Sequence, residues 1–179
     1  APYDLWEQQG LLTVTGGEMD FMNDYKFIIS HLKELKERFG LEFLGIGIDP
    51  HNAGGVMEDL EAFGCPVVTI TQSARNLNDA TCAVQLQVKG HKFEYDRKNE
   101  LMTWSFVNAA VVANSFGEIK VDKKRRNGHK EEAKRIDAVD SVIDAYALML
   151  LNKTSEAANL DSSLEEFLEM MGWKEDEEE

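Results

Sequence analysis

Two short apolar runs, separated by a helical stretch, limit the possible folds of this chain most strongly. Leu41–Ile48 ends at Asp49-Pro50, and Pro66–Thr71 follows about twenty residues later. The length and apolar content of both runs predict buried strands. The residues between them, about 54–63, predict a helix that ends at Gly64. A strand–helix–strand order favours an α/β fold with a largely parallel sheet.

The rest of the chain adds elements of both kinds. Apolar spacing predicts helices over 20–39, 100–114 and 131–152, and another helix from Asn76 or Asn78 to Lys89. Short strands are predicted at Leu11–Thr15, His91–Tyr95 and Glu118–Val121. After Lys153 the residues become small and polar, and a short helix is predicted at Leu164–Met171. We therefore expect an α/β domain over 1–153 and an acidic C-terminal tail over 154–179.

Composition excludes several protein classes. With 179 residues, of which 43% are apolar, the chain can bury a core. No apolar run approaches the roughly 20 residues that cross a membrane, and the N-terminus lacks the features of a signal peptide. Two cysteines form no disulfide framework and have no zinc-type spacing. We expect a soluble intracellular protein with no membrane partner.

The net charge of −14 is unevenly distributed. Residues 154–179 hold ten acids and one base, whereas residues 119–135 hold eight bases and three acids. A local basic strip can attract phosphate even when the whole chain is acidic. The alternative, a solvated charged loop, is equally compatible with this run of charges.

Carboxylates occur at two places where a cleft is expected. Asp49 follows a predicted buried strand, and functional groups of α/β proteins collect at the carboxyl ends of strands. Asp137, Asp140 and Asp144 gather along one flank of the apolar stripe of the last long helix. Acids at such a flank can reach a cleft and bind Mg²⁺ or Mn²⁺. The alternatives are a turn residue before Pro50 and an ordinary amphipathic helix.

Phosphate-binding glycine loops are not found in this sequence. It contains no Gly-Lys-Ser/Thr motif, so no P-loop ATPase is predicted. Gly45-x-Gly47 precedes Asp49 and lacks the third glycine of a dinucleotide-binding fingerprint.

Several motifs occur here in a fixed order. They are Ala1-Pro2-Tyr3-Asp4-Leu5-Trp6, Gly10–Gly17, Ile46-Gly47-Ile48-Asp49-Pro50, Gln72, Trp104 with Asn108, and Arg135-Ile136-Asp137-Ala138-Val139-Asp140. Over roughly residues 1–152, the ordered set resembles the C-terminal nuclease half of tailed-phage terminase large subunits.

This resemblance implies a ribonuclease H-like fold, with a mixed sheet flanked by helices, that cuts double-stranded viral DNA during genome packaging. It implies a two-metal site for Mg²⁺ or Mn²⁺, in which the cations activate water and stabilise the leaving oxygen. The metal-ligand role is carried over onto Asp49 and Asp137, with Asp140 as a further ligand. Lys134 stands near a position where some family members keep another active-site residue.

The resemblance also implies that some family features lie outside these 179 residues. The first catalytic Asp of the family lies on an early strand, before the segment that contains Tyr3 and Trp6. We therefore expect a sheet that is incomplete at its N-terminal strands and a metal site short of one carboxylate. The ATPase half of the family is also not present in this sequence.

The main hypothesis is a metal-dependent endonuclease domain of a DNA-packaging terminase, which acts in the host cytoplasm. Its partners would be double-stranded DNA and the other terminase and portal components. The duplex backbone would be held by Lys123, Lys124, Arg125, Arg126, Lys130 and Lys134. A second hypothesis is a catalytically silent domain of the same fold that binds DNA or a packaging partner. A third is an unrelated small α/β binding domain.

Overall fold

Helices and short strands alternate along the chain. The computed structural model describes residues 1–15, 25–51, 56–123 and 135–170, with side chains described up to residue 153. The elements, in chain order, are α1 (Tyr3–Gln8), α2 (Tyr25–Phe39), β1 (Ile46–Ile48), α3 (Met57–Glu61), β2 (Val67–Thr69), α4 (Ala74–Lys89), α5 (Glu100–Asn108), β3 (Ala110–Ala113), β4 (Ile119–Asp122) and α6 (Asp137–Met170).

Strands β1 and β2 form the predicted parallel pair, in which Ile46 lies opposite Val67 and Ile48 opposite Thr69. Alternate residues of a strand point to opposite faces of a sheet. On one face, Ile46, Ile48 and Val67 pack against α2 and α3. On the other face, Val68 and the following residue Ile70 pack against α4 and α6. The parallel pair therefore lies between two layers of helices.

Each face of this pair has its own core. The buried residues of the α2–α3 side are Ile29, Val56, Leu60 and Phe63. Those of the α4–α6 side are Ile70, Leu77, Ala80, Val84, Val139, Ile143, Ala147 and Leu148. Ile136, Val139 and Ile143 are the largest fully buried side chains among the described residues. The first turns of α6 are therefore anchored firmly in the core.

Two glycines of the β1 segment allow α6 to approach the strand closely. A Cβ atom at Gly45 would lie 3.1 Å from Cδ2 of Leu148. A Cβ atom at Gly47 would lie 3.2 Å from Cγ1 of Ile70 and 3.6 Å from the main-chain oxygen of Asp144. Gly45 and Gly47 therefore allow α6 to pack closely against β1. This contact sets the distance between α6 and the end of β1.

Strands β3 and β4 form a separate antiparallel hairpin, with Ala110 opposite Asp122 and Ala113 opposite Ile119. The prediction of one helix over 100–114 was therefore wrong, because α5 ends at Asn108 and β3 follows. β-Branched residues such as Val111 and Val112 suit a strand better than a helix. In the described part of the chain, the predicted single sheet is replaced by two sheets of two strands each.

Two short strand predictions were also wrong. Residues 11–15 form no strand, and Leu11 instead bonds back to the main-chain oxygen of Trp6 at 2.8 Å, closing the unpredicted helix α1. Residues 91–95 are irregular, and Phe93 and Tyr95 pack onto Phe106 of α5. A short alternating pattern predicts a strand only where another strand lies beside it, and neither segment pairs with one here.

Helix boundaries differ from the predictions in smaller ways. Ser73 caps α4, and its Oγ accepts a hydrogen bond from the main-chain nitrogen of Asn76 at 3.2 Å. Helix α6 continues to Met170 and includes most of the predicted short helix 164–171. The domain boundary after residue 153 stays a prediction. Residues 20–24 and 131–134 of the predicted helices lie outside the described residues.

No helix in the described ranges combines the length and the apolar character needed to cross a membrane.

Candidate functional site

The carboxyl end of β1 presents Asp49 to solvent. Its Oδ1 atom accepts a hydrogen bond from the main-chain nitrogen of His51 at 3.0 Å and lies 3.9 Å from the imidazole Nδ1 atom of the same residue. The side chain is 49% exposed, so its carboxylate is accessible. Asp49 thus stabilises the turn after β1, which agrees with its interpretation as a turn residue before Pro50. Its carboxylate is also accessible to solvent at the end of the strand.

On α6, the carboxyl group of Asp144 is near enough to β1 for the charge of Asp49 to act on it. Partial burial raises the pKa of the Asp144 carboxyl. A hydrogen bond from Gln72 opposes that rise in pKa, and the negative charge of Asp49 adds to it. The two acids therefore repel each other at neutral pH.

Gln72 joins the end of β2 to α6. Its Nε2 atom donates to Oδ1 of Asp144 at 2.9 Å and to the main-chain oxygen of Ile70 at 3.2 Å. The main-chain oxygen of Gln72 accepts a hydrogen bond from Nζ of Lys120 at 2.9 Å. Strand β4, the end of β2 and helix α6 are connected through this one residue.

The first turn of α6 carries a second acidic region. Nζ of Lys123, just after β4, lies 2.9 Å from Oδ1 of Asp137 and 3.7 Å from Oδ2 of Asp140. The hydrogen bond to Asp137 raises the pKa of the Lys123 ammonium group. Burial raises the pKa of Asp140, the charge of Lys123 lowers it, and the charges of Asp137 and Asp144 raise it again. Lys123 therefore offsets one of the two negative charges at this end of the acidic flank.

The sequence analysis joined Asp49 to Asp137 as ligands of one cation. In the structure Asp137 is paired with Lys123, and the charge of Asp49 acts on Asp144. The metal-binding roles of Asp49, Asp137 and Asp140 stay predictions. The remaining predicted DNA-binding residues, Lys124, Arg125, Arg126, Lys130 and Lys134, lie outside the described residues.

Two residues of this arrangement were missed as site residues. Helical spacing placed Asp144 on the acidic flank, one turn after Asp140, among the acids that could reach a cation. It was not carried over as a ligand, and Gln72 was matched to a motif without any role. The contact of Asp144 with Gln72, 72 residues away in sequence, could not be inferred from spacing.

The donor atoms of this edge suit a hard divalent cation. Carboxylate oxygens are the preferred ligands of Mg²⁺ and Mn²⁺. Within the described ranges, neither Asp49 nor Asp144 is paired with a lysine or an arginine, so a cation would relieve their repulsion. In the same ranges, no group of three or more His, Cys, Asp or Glu side chains is arranged to hold a metal ion. The edge therefore fits a cation in its chemistry and supplies two carboxylates at the strand end.

Comparison with known proteins identifies the family of this chain. The family described as terminase large subunit, endonuclease domain, matches residues 1–153. The chain belongs to this family. The resemblance found from the ordered motifs is thus confirmed.

Two curated proteins are similar to this terminase-family chain. One is the terminase large subunit of Enterobacteria phage HK97, which is 27% identical over 130 residues, covering 72% of this chain and 25% of that protein. The other is protein YmfN of Escherichia coli strain K12, which is 30% identical over 107 residues, covering 59% of this chain and 22% of YmfN. The chain spans about a quarter of the length of each relative.

The fold also has a solved counterpart. The crystal structure of the HK97 bacteriophage large terminase superimposes with a TM-score of 0.67 at 24% identity, covering 83% of this chain and 29% of that one. This similarity shows the mixed α/β fold of the terminase-family chain. The roles of individual side chains are argued from their contacts in this chain.

Proposed function

We propose that this chain is the metal-dependent endonuclease domain of a viral DNA-packaging terminase and that it cleaves double-stranded DNA at genome ends. Family membership supports the reaction class. The observation that carries the proposal is the close approach of α6 to β1, which has Asp49 at its carboxyl end, with Asp144 of α6 bonded at 2.9 Å to Gln72 after β2. We further propose that the α/β fold is ribonuclease H-like, since that arrangement collects carboxylates at strand ends.

The acidic flank would supply the ligands of a two-metal site for Mg²⁺ or Mn²⁺. Asp49 and Asp144 would hold one cation, and Asp137 with Asp140 would hold the other after Lys123 has moved away. When bound, such cations activate water and stabilise the leaving oxygen of the phosphodiester. Gln72 and the buried stripe of α6 would hold the acids in position throughout.

The basic strip would hold the duplex. The residues of this strip that would contact DNA are Lys123, Lys124, Arg125, Arg126, Lys130 and Lys134. Contacts from such residues to phosphates position DNA without reading its sequence. Within a whole terminase, the partners would be double-stranded DNA and the other terminase and portal components, and the reaction would take place in the host cytoplasm.

Thermal unfolding and DNA nicking with and without Mn²⁺ test this proposal. We expect Mn²⁺ to raise the Tm of the chain and expect Asp49→Asn to abolish that rise. Cutting of supercoiled plasmid by residues 1–179 should be weak, whereas a longer protein that includes upstream residues should cut with Mn²⁺ or Mg²⁺ and stop in EDTA. Wild-type protein with no Mn²⁺ response and a longer protein without metal-dependent cutting would refute the proposal.

A second candidate is a catalytically silent domain of the same fold that binds DNA or a packaging partner. The observation in its favour is the ion pair of Lys123 with Asp137, because a lysine there replaces the charge that a cation would supply. This candidate predicts DNA binding without any cutting, even when upstream residues are present.

The basic strip is tested separately by its salt dependence. Replacing Lys123, Lys124, Arg125 and Arg126 with Ala should weaken binding to any duplex sequence. The dependence of affinity on salt should also flatten, because fewer counterions are released. An unchanged affinity and an unchanged salt slope would mean that the strip is a solvated loop.

A further inference from the structure

Gln72 is held in one orientation by what surrounds its amide group. Nε2 lies 2.9 Å from Oδ1 of Asp144 and 3.2 Å from the main-chain oxygen of Ile70. A carbonyl and an ionised carboxylate are acceptors only, so both must face the NH₂ end of the amide. A flipped amide would place its own oxygen against these two acceptor oxygens and lose both bonds. The side chain therefore has one hydrogen-bonded state at neutral pH.

The main chain of Gln72 is fixed as well. Its main-chain oxygen accepts a hydrogen bond from Nζ of Lys120 on β4 at 2.9 Å. Two residues earlier, the main-chain nitrogen of Ile70 donates to the main-chain oxygen of Ile48 at 2.8 Å, which ties the segment to β1. The amide that reaches α6 is thus supported from both sheets.

We infer that Gln72 is the positioning residue of Asp144. By occupying Oδ1, it turns the carboxylate so that Oδ2 is the oxygen left for a divalent cation beside Asp49. The inference rests on the proposed function, because it assigns Asp144 a cation to hold. Without the amide, the repulsion from Asp49 would favour rotation of the Asp144 carboxylate away from the strand end.

The inference requires an effect on cation affinity beyond an effect on stability. Residues that orient metal ligands typically contribute 10–100-fold to affinity. A purely structural glutamine would lower the Tm when replaced and leave the affinity for the cation unchanged. The two roles therefore differ in a measurable quantity.

The first experiment measures Mn²⁺ affinity by calorimetry on the full chain. Gln72→Met keeps the length of the side chain and removes both donors, and we expect its Mn²⁺ affinity to fall about 10-fold or more. Gln8→Met makes the same change at an exposed position of α1 and should leave the affinity unchanged. Ile143→Val on α6 controls for lost stability, because it should lower the Tm while every acid and Gln72 stay in place. An unchanged affinity in Gln72→Met would overturn the inference.

Lys120→Met provides a second route if Gln72→Met does not fold. It removes the hydrogen bond to the main-chain oxygen of Gln72 and leaves the side-chain amide in place. Because Lys120 acts on Asp144 only through Gln72, we expect a smaller loss of Mn²⁺ affinity, about 2–5-fold. Full wild-type affinity in Lys120→Met, with Gln72→Met unfolded, would overturn the inference.

The second experiment needs no metal. In EDTA, the Tm of Gln72→Met, Asp144→Ala and the double variant are compared in a double-mutant cycle. If Gln72 holds Asp144, the two changes are non-additive, since each single variant already removes the shared bond. Additive changes would overturn the inference whatever the metal data show. If the Tm changes are non-additive but the wild-type chain does not bind Mn²⁺, the result would support the Gln72–Asp144 pairing and refute the proposed metal site.

Discussion

The acidic flank of α6 has two regions whose carboxylates have different partners, a neutral amide in one and a lysine in the other. At the strand end, Asp144 is bonded by the neutral amide of Gln72 and is repelled by Asp49. In the first turn of the helix, Asp137 and Asp140 share the ammonium group of Lys123. The strand-end region has no lysine to offset its two carboxylates, whereas Lys123 offsets one of the two negative charges of the first-turn region.

This difference shows that burial alone does not decide which acids are ready for a cation. Burial raises the pKa of both Asp140 and Asp144, yet only Asp140 lies beside a lysine. The start of α6 also favours negative charge through the helix dipole, which further stabilises the first-turn acids. A cation should therefore bind first at the strand end, and binding at the first turn should require displacement of Lys123.

The largest effect is expected from closing the space between β1 and α6. Gly47→Val should lower the Tm by roughly 2–12 °C, because overpacking costs about 1–3 kcal/mol in a chain of this size. It should also abolish the Mn²⁺ response, since α6 would move away from Asp49. Ala113→Val, at an exposed position of β3, is the matched control in differential scanning fluorimetry. A Gly47→Val protein with wild-type Tm and Mn²⁺ response would contradict the packing argument.

The next effect concerns the ranking of the two regions by Mn²⁺ binding. Asp144→Asn should remove the Mn²⁺-induced rise in Tm, and Asp137→Asn should only reduce it. In EDTA, Asp144→Asn should leave the Tm unchanged or raise it, because repulsion from Asp49 is relieved. The sequence-based pairing of Asp49 with Asp137 predicts a complete loss in Asp137→Asn, so the same titration distinguishes the two arrangements.

A smaller effect is expected from making the first-turn region resemble the strand end. Lys123→Met should cost about 0.2–1 kcal/mol in metal-free unfolding, the usual contribution of a surface ion pair. It should increase the Mn²⁺ response, because Asp137 and Asp140 lose their internal cation. Lys123→Arg keeps the charge and should behave like wild type. A Mn²⁺ response that does not change in Lys123→Met would exclude cation binding at the first turn.

The smallest effect is the pH dependence of the strand-end region. The pKa of Asp144 is raised in the folded state, so the folded chain binds its proton more tightly than the unfolded chain does. The Asp144 charge therefore lowers stability at pH values above its folded-state pKa. This loss disappears as the pH falls through that pKa toward 3.8, the ordinary pKa of an Asp side chain. The Tm difference between Asp144→Asn and wild type should shrink over that fall, and a constant difference would contradict the sign of this shift.

The sequence predicted the parallel pair and its helices because the signals there are local. Leu41–Ile48 and Pro66–Thr71 are apolar runs closed by turn residues, and each contains the observed strand. The β3–β4 hairpin was half missed because Val111 continues the apolar spacing of α5, so the change from helix to strand leaves no break in the pattern. Its second strand was predicted at 118–121 and observed as Ile119–Asp122.

Only those parts of the candidate site that depend on neighbouring residues in the sequence could be predicted. Asp49 could be identified because a strand ending in Asp-Pro reveals its position directly. The interaction of Asp49 with Asp144 depends on how closely α6 approaches the strand, and that distance is set by Gly45 and Gly47 through contacts distant in sequence. The ordered motifs identified the family, but they did not identify which acid of the helix interacts with Asp49.

The glycine contact between β1 and α6 has an evolutionary consequence. The helix meets the strand where Gly45 faces the side chain of Leu148 and Gly47 faces the main-chain oxygen of Asp144, and Val139 and Ile143 pack in the core that contains Ile70. None of these contacts involves a carboxylate. Acids on the flank can therefore be exchanged for neutral residues of similar shape while the scaffold stays intact. Single substitutions on the flank could therefore change the charge at the strand end during evolution while the shape of the domain is preserved.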